Sequence, residues 1–323
     1  MPLLKSDFTP PLMCRCPHLQ TVIPSLARKV TGIKYIRHRA YLADGDFVDL
    51  DWSFAGNGIP ATAAVILCHG LEGHSQRSYM LGMARAFNQQ GIDAVSYNYL
   101  GCSGEPNLTA RVYTAGATRD LHEVIGFAKA LGHYKSVYLV GFSLGGNLVL
   151  KYTGEMGGEI DPDIKGVAAI SAPCDLRSSG IELSKPKNRL YNLRFIKMLR
   201  HKIMAKYKYN PELKSIDLDL IHTLKQFDDL ITAPLNGFKD AEDYWTQASS
   251  IRVLGGISVP TLILNAADDP MLGPECYPKE LAAANPNVIL DIPRYGGHMG
   301  FMHRPNDQEY WHETRTIEFL AKQ

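Results

Sequence analysis

One serine lies between two glycines where the sequence changes from strand-like to helix-like. The segment VYLVGFSLGGNLVLKY, residues 137–152, starts as an apolar strand and ends as an apolar helix, with Gly141, Ser143 and Gly145 between them. A turn this tight strains the backbone, and a side chain at either glycine position would collide with its surroundings. Gly-x-Ser-x-Gly at such a turn is the pattern of a nucleophile elbow, which exposes the serine oxygen above a sheet. The free N–H groups of the following helix would favour negative charge at the same place.

A serine becomes a good nucleophile only when a base accepts its proton, so a histidine is required. Among eleven histidines, His298 is the best candidate because it lies in the glycine-rich loop YGGHMG directly after the strand-like NVILDI. His303 stands next to the closing segment, and His312 stands mid-helix beside Trp311, where a partly exposed residue is expected. His69 ends a buried strand and is interpreted as structural.

The histidine in turn needs a carboxylate that fixes its tautomer and stabilises its positive form. The strand-like TLILNA is followed by Asp268, Asp269 and Pro270, so either aspartate could serve. We favour Asp269, because the proline fixes the turn that would hold it. The other carboxylate is expected to hydrogen-bond loop amides.

Negative charge that develops on a carbonyl oxygen requires N–H donors, which form an oxyanion hole. One donor is expected from Leu144, the residue after the serine, and the other from the loop that follows an earlier strand. The strand-like AAVILC leads into the loop HGLEG, residues 69–73. Glycines on both sides of Leu71 would let its amide face the site.

Strand-like and helix-like segments alternate along most of the chain, which predicts a mostly parallel sheet with helices on both faces. Expected strands cover residues 35–42, 47–54, 63–69, 93–99, 137–142, 166–171, 259–266 and 287–292, and expected helices cover residues 78–90, 115–131, 275–284 and 308–322. The first two strands read as a hairpin. Ligand sites of such sheets lie at the carboxyl ends of the strands, where the candidate residues stand.

Residues 174–256 interrupt the alternation and are expected to form a helical cap insertion, while residues 1–30 are expected to form an N-terminal arm. Within the insertion, residues 185–210 carry nine Lys or Arg and no acid. Apolar residues recur there at helical spacing: Leu190, Leu193, Ile196, Leu199, Ile203 and Tyr207. We expect a cap helix whose apolar face helps to bind an acyl chain; the alternative adds weak contact of its basic face with an anionic substrate or membrane surface. Asp228 and Asp229 are interpreted as contacts within the cap, the basic helix included.

Composition excludes several other classes of function. The 323 residues are 45% hydrophobic and 21% charged with a formal net charge of +1, so no nucleic-acid partner is expected. No apolar run is long enough to span a membrane and no signal-type segment is seen, so a cytoplasmic location is expected. The cysteines include no CxxC pair, and Cys14, Cys16 and His18 lack a second ligand pair, so no metal is expected. No dinucleotide or Walker motif occurs, so no cofactor is expected.

Several motifs together resemble the YheT-like branch of the α/β-hydrolase superfamily, which is similar to the animal ABHD lipases. The motifs are CPHLQTVIPSL (16–26), HGLEG (69–73), YLGCSGEPN (99–107), GFSLGGN (141–147), QFDDLITAPLNGF (226–238), NAADDP (265–270) and GGHMGF (296–301). The resemblance covers nearly the whole chain. It implies an α/β-hydrolase fold and a carboxylic-ester hydrolase whose Ser–Asp–His triad falls on Ser143, Asp269 and His298.

The sequence therefore predicts a single α/β-hydrolase domain over residues 1–323 that cleaves a small-molecule ester through an acyl-enzyme intermediate. An acyltransferase or thioesterase would use the same triad, and the sequence does not separate these activities. A non-catalytic binding protein on the same fold is the alternative of another class. That alternative predicts a broken triad, whereas the pattern here is intact.

Overall fold

The computed structural model describes residues 3–4 as backbone and residues 6–56, 61–305 and 307–321 in full. Residues 1, 2, 5, 57–60, 306, 322 and 323 belong to the predicted arm, domain or closing helix and lie outside the described residues.

Nine strands of the described residues form one sheet. In chain order they are β1 (Leu3–Leu4), β2 (Ile36–Tyr41), β3 (Phe47–Ser53), β4 (Ala63–Cys68), β5 (Asp93–Asn98), β6 (Ser136–Phe142), β7 (Ile164–Ile170), β8 (Thr261–Leu264) and β9 (Val288–Asp291). Their order across the sheet is β1-β9-β8-β7-β6-β4-β5-β3-β2. β3 runs antiparallel to β2 and β5, and the other neighbouring pairs are parallel. The predicted mostly parallel sheet is confirmed, although the short strand β1 was not foreseen because two residues carry no periodicity.

Helices follow most of the strands and cover both faces of the sheet. They are α1 (Pro17–Ala27), α2 (Ser78–Gln89), α3 (Thr118–Gly132), α4 (Leu144–Met156), α5 (Leu176–Leu183), α6 (Arg189–Lys206), α7 (Leu224–Phe227), α8 (Ala233–Leu235), α9 (Ala241–Ala248), α10 (Lys279–Ala284) and α11 (Trp311–Leu320). A π-helical turn over Asp228–Thr232 joins α7 to α8.

Strand β4 shows how the core is divided between the two faces. Val65 and Leu67 pack with α2 and α11, whereas Ile66 and Cys68 pack with α3 and α4 on the opposite face. Successive side chains of a strand point to opposite faces, so both layers of helices contact the same strand. Burial on both faces explains the nearly continuous apolar run of this segment.

Residues 174–256 leave the sheet between β7 and β8 and contain α5 to α9. Helix α6 shares one buried cluster with the segment that follows it, through Ile196, Leu199, Ile203, Leu213, Ile221, Phe227 and Ile231. The predicted apolar face is wrong at its N-terminal end, where Leu190 and Leu193 are 80% and 50% exposed. The buried cluster contains residues 196, 199 and 203 of α6, and Tyr207 packs against it, so the first turns of α6 extend beyond these partners.

A buried ion pair holds the arm against the closing helix. The Arg28 guanidinium donates to both carboxylate oxygens of Glu313 at 2.5 and 2.8 Å, and the two side chains are 2% and 1% exposed. The guanidinium also lies over the Tyr310 ring, 3.8 Å from its centroid. Because Arg28 directly follows α1, this pair ties the C-terminal end of that helix to α11.

The substitution Glu313→Gln should lower the free energy of unfolding by about 3–5 kcal/mol, because it leaves the Arg28 guanidinium buried without a counter-ion. The exposed pair Arg177–Glu242 supplies a control, in which Glu242→Gln should cost less than about 1 kcal/mol. Urea unfolding followed by circular dichroism measures both variants. Equal losses would contradict the role of Arg28–Glu313 as the anchor of the arm.

Candidate active site

Ser143 occupies the one-residue turn between β6 and α4. Its backbone has φ +52° and ψ −121°, a conformation that a non-glycine residue rarely adopts. Its N–H donates to the carbonyl of Ile170 at 2.8 Å, which ties the turn to the neighbouring strand β7. A Cβ at position 141 would collide with the carbonyl of Gly145, and a Cβ at 145 with that of Cys68. Both glycines are therefore required by the close approach of the strand end and the helix start.

The structure brings Ser143, His298 and Asp269 into one chain of hydrogen bonds. Ser143 Oγ lies 2.9 Å from His298 Nε2, and His298 Nδ1 lies 2.8 and 3.1 Å from the Asp269 carboxylate oxygens. A carboxylate only accepts, so Nδ1 carries the proton and Nε2 is free to accept from the serine hydroxyl. His298 and Asp269 are 5% and 6% exposed, which shields the pair from water.

The two neighbouring aspartates have different partners. Asp268 Oδ1 accepts the N–H of Gly297 at 2.9 Å and so holds the histidine loop rather than the histidine ring. Burial raises the pKa of Asp268 to about 6, and the charge of Asp269 acts in the same direction. Asp269 also accepts the N–H of Met271 at 2.9 Å, which orients its carboxylate. Geometry thus distinguishes the two carboxylates that the sequence left open.

Helix α1 of the arm supports the histidine loop. Thr21 Oγ1 accepts the N–H of His298 at 2.9 Å. The buried side chain of Gln20 donates to the carbonyl of Met302 and accepts its N–H, both at 2.9 Å. Sequence reasoning missed these two residues, because nothing in the local pattern of the arm links it to a loop almost 300 positions away.

The amides of Leu71 and Leu144 are the two donors expected for the oxyanion hole. Among the described residues, neither N–H has a hydrogen-bond acceptor. Leu144 is the first residue of α4, where helix geometry leaves the N–H groups unpaired. A Cβ on Gly70 would lie only 3.1 Å from Ser143 Cβ, so the loop that carries Leu71 passes directly beside the serine.

Two other histidines considered from the sequence are buried and structural in their contacts. His69 Nδ1 lies 2.7 Å from the carbonyl of Gly70, and its Nε2 accepts the N–H of Tyr99 at 3.2 Å. Burial lowers the pKa of His69 to about 3, so the ring is neutral. The expectation that His312 is partly exposed is wrong, because α11 turns it toward the sheet, 5.9 Å from the Phe142 ring. Burial lowers the pKa of His312 to about 3 as well.

Two cavities meet at Ser143 and His298. The first, here called the apolar cavity, has a volume of about 120 Å³ and is lined mainly by residues 174–256, among them Leu183, Phe195, Leu199, Ile203, Phe227 and Trp245. The second, of about 130 Å³, lies between α1 and α6 and is lined by Thr21, Ser25, Arg77, Tyr191 and Arg194 among others. Leu71 lines both cavities, and two arginines, Arg77 and Arg194, line the second but not the first.

One carboxylate lines the apolar cavity. Asp228, at the start of the π-helical turn, accepts the indole N–H of Trp245 at 2.7 Å, and burial raises its pKa to about 6. Asp229 binds the ammonium of Lys225 at 2.7 Å and a backbone N–H of α9 at 2.8 Å. The expectation that these aspartates make contacts within the cap is confirmed, although these contacts are to α7 and α9 and not to the basic helix. Both organise residues 224–245, because the π-helical turn directs them toward α7 and α9.

In the part of the chain that the structure describes, no helix is both long and apolar enough to cross a membrane. The same residues include no group of three or more His, Cys, Asp or Glu arranged to hold a metal ion.

Comparisons with known proteins identify the family. The family model for the alpha/beta hydrolase fold matches residues 63–305. YheT of Escherichia coli (strain K12) is 32% identical over 308 residues, which cover 94% of this chain and 90% of that protein. Phospholipase ABHD3 of Mus musculus is 29% identical, with 93% of this chain and 74% of that protein covered. Monoacylglycerol lipase ABHD2 of Homo sapiens is 27% identical, with 93% and 75% covered.

Solved structures share the fold at lower identity. The Pyrococcus furiosus esterase Pf2001 matches with a TM-score of 0.57 at 15% identity, covering 91% of this chain and 95% of that chain. The 2,6-dihydroxy-pseudo-oxynicotine hydrolase matches with a TM-score of 0.59 at 16% identity, covering 89% and 67%. The resemblance to the YheT-like branch is confirmed by these comparisons. The chain therefore belongs to the alpha/beta hydrolase family, as an ester hydrolase of the branch that contains YheT and the ABHD lipases.

Proposed function

We propose that the protein hydrolyses carboxylic esters through Ser143, His298 and Asp269. The observation that carries the proposal is the unbroken line of hydrogen bonds from the serine hydroxyl through the imidazole to the carboxylate. Each residue has the chemistry its place requires: a hydroxyl on a strained turn, a base within reach and a buried acceptor behind it.

The reaction proceeds in two halves. Ser143 Oγ attacks the ester carbonyl carbon while His298 Nε2 takes the hydroxyl proton, and Asp269 stabilises the imidazolium that forms. The amides of Leu71 and Leu144 bind the oxygen that becomes negative. The bond to the alcohol then breaks, His298 returns its proton to the leaving oxygen, and the acyl group stays on Ser143. Water gives a proton to His298 and attacks this acyl-enzyme, which releases the acid and restores the serine.

We propose that residues 1–323 form one α/β-hydrolase domain in which residues 174–256 act as the cap and residues 1–30 as the arm. The cap is supported by the apolar side chains that these residues contribute to the cavity at Ser143. The arm is supported by the contact of Thr21 with the histidine loop.

The substrate we propose is a small-molecule ester with an apolar acyl chain that occupies the apolar cavity. The names of the relatives ABHD3 and ABHD2, a phospholipase and a monoacylglycerol lipase, support an acyl chain of the lipid kind. Weak contact with an anionic membrane surface is also proposed, supported by the exposed Leu190 and Leu193 beside the cations Arg189 and Arg194 of α6. We place the reaction in the cytoplasm, supported by six free cysteine thiols.

A fluorophosphonate probe should label the wild-type protein and leave Ser143→Ala unlabelled, because only an activated serine attacks the phosphorus. Hydrolysis of p-nitrophenyl octanoate should fall by at least about 10³-fold in the same variant. Ser103→Ala, which removes a hydroxyl in the loop after β5, serves as the control and should label normally. Labelling of folded Ser143→Ala would contradict the assignment of the nucleophile.

The preference for long acyl chains should weaken as pH rises from about 5 to 7. Asp228 has a pKa of about 6 against an ordinary 3.8, so it is neutral at the lower pH and charged at the higher. An acyl chain in the cavity removes more water from the carboxylate and so raises the pKa of Asp228 further. Each unit by which the bound chain raises this pKa makes binding to the charged form about tenfold weaker. The ratio of KM for p-nitrophenyl octanoate and acetate measures the effect, because pH effects on steps common to both esters cancel in it.

In Asp228→Asn this ratio should not change with pH, since an amide oxygen still accepts the Trp245 N–H but carries no charge. Glu242→Gln is the control, because it removes an exposed carboxylate of the cap that lies outside the apolar cavity, and it should behave as the wild type. A wild-type ratio that is independent of pH would show that Asp228 does not contact the acyl chain.

A further inference from the structure

We propose that Lys202, on helix α6 of the cap, positions the oxyanion donor Leu71 by holding Glu72, so that the site becomes competent only when α6 is seated. The inference rests on the proposed function, because the direction of the Leu71 amide matters only if Ser143 attacks a carbonyl group.

The loop that carries Leu71 is a strained turn. The N–H of Gly73 donates to the carbonyl of Gly70 at 2.9 Å, which closes a four-residue turn with Leu71 and Glu72 at its centre. Glu72 has φ +52°, whereas the third position of a turn with this left-handed conformation is normally glycine or asparagine. A glutamate there costs free energy, and such a residue keeps its conformation only when surrounding contacts enforce it.

Tyr113 provides the first of these contacts. The N–H of Glu72 donates to Tyr113 Oη at 2.9 Å, and the Tyr113 hydroxyl donates to Glu72 Oε1 at 2.7 Å. The two bonds fix the backbone and the side chain of the same residue. They therefore hold the turn in the form in which the preceding residue, Leu71, lines the cavities at Ser143.

Lys202 provides the second contact, and it comes from the cap. Its Nζ lies 3.2 Å from Glu72 Oε1, and the two side chains are 11% and 8% exposed. The same ammonium donates to the carbonyl of Gly101 at 3.0 Å and lies 2.8 Å from Cys102 Sγ. Burial acts to lower the pKa of Lys202, but Cys102 and Glu72 outweigh it and raise the pKa, so the ammonium is charged. One cap side chain thus joins the loops that follow β4 and β5.

The acyl chain would strengthen this connection. Leu199 and Ile203, which stand beside Lys202 on α6, both line the apolar cavity. A chain that fills the cavity buries apolar surface against them and so favours the seated position of α6. Part of the binding free energy of the acyl chain is then used to position the oxyanion donor Leu71. Specificity of this kind is induced fit. Longer acyl chains should therefore raise kcat as well as lower KM.

The test compares p-nitrophenyl acetate and octanoate in the wild type and in Lys202→Met, which keeps an apolar stem without the charge. We expect the wild-type kcat, measured under conditions in which acyl-enzyme formation limits the rate, to be higher with octanoate than with acetate. Lys202→Met should lower the octanoate kcat about tenfold, since loss of a whole oxyanion donor costs about 10²–10³ in kcat. Lys202 itself lines the apolar cavity, so the apolar Met side chain should leave the KM for octanoate unchanged or lower. In Lys202→Met, octanoate should no longer have a higher kcat than acetate.

Three further variants separate positioning from general damage to the fold. Lys202→Arg retains a cation and should recover most of the octanoate kcat. Tyr113→Phe removes the hydroxyl that bridges Glu72 and should lower kcat in the same way as Lys202→Met. Lys225→Met makes the same change in an exposed ion pair of the cap, that with Asp229, and should leave kcat unchanged.

The outcomes distinguish this inference from the proposed function. An active wild type whose kcat is unaffected by Lys202→Met and Tyr113→Phe would overturn the inference alone, as would a loss confined to KM. A Lys225→Met variant that lost kcat to the same degree would also overturn it, because the effect would then be general. A wild type that neither hydrolyses the esters nor labels at Ser143 would overturn the proposed function, and the inference with it.

Discussion

The strained turn at Ser143 is the constraint on which the rest of the site depends. A serine with φ +52° keeps that conformation only because the strand before it and the helix after it are both buried and fixed. Glycine on either side lets β6 and α4 approach closely enough for the turn to exist. The hydroxyl then projects from the carboxyl edge of the sheet, and the parallel strands β8 and β9 end at the same edge. Loops of a few residues are therefore sufficient to bring Asp269 and His298 to it.

Short loops reach the serine, but contacts from distant parts of the chain hold them there. Thr21 binds the N–H of His298, and Gln20 binds both backbone groups of Met302. The arm that supplies these groups is in turn fixed by the buried pair of Arg28 with Glu313. The arm is thus joined both to the histidine loop and to α11, and the position of the proposed base depends on how the arm packs.

How much the sequence predicts follows from the range of each interaction. Ser143 and its glycines were recognisable because a nucleophile elbow is a local pattern, and Asp269 was preferred because Pro270 restricts the adjacent turn. Thr21, Tyr113 and Lys202 gave no signal, since their contacts depend on how distant elements pack.

The exposure of a side chain was likewise predicted poorly where it depends on which other element packs against it. Helical spacing placed Leu190 on an apolar face, but no partner covers it among the described residues, and it is 80% exposed. His312 was expected to be partly exposed because it lies mid-helix, but α11 turns its side chain toward the sheet and buries it.

The basic residues of α6 have more than one structural role. Lys206 is buried, and its ammonium donates to Asn107 Oδ1 at 2.7 Å and to the carbonyls of Thr109 and Arg111 at 2.6 and 3.0 Å. Burial lowers its pKa to about 8. Lys202, one turn earlier, binds the loop after β5 and Glu72 in the same manner. The inner lysines therefore fasten the helix to the loops beneath it, and only the outer cations remain to attract an anionic surface. From the sequence alone, the nine basic residues of 185–210 look like a single basic surface. In the fold, some of them bind the loops beneath the cap and the others face the solvent.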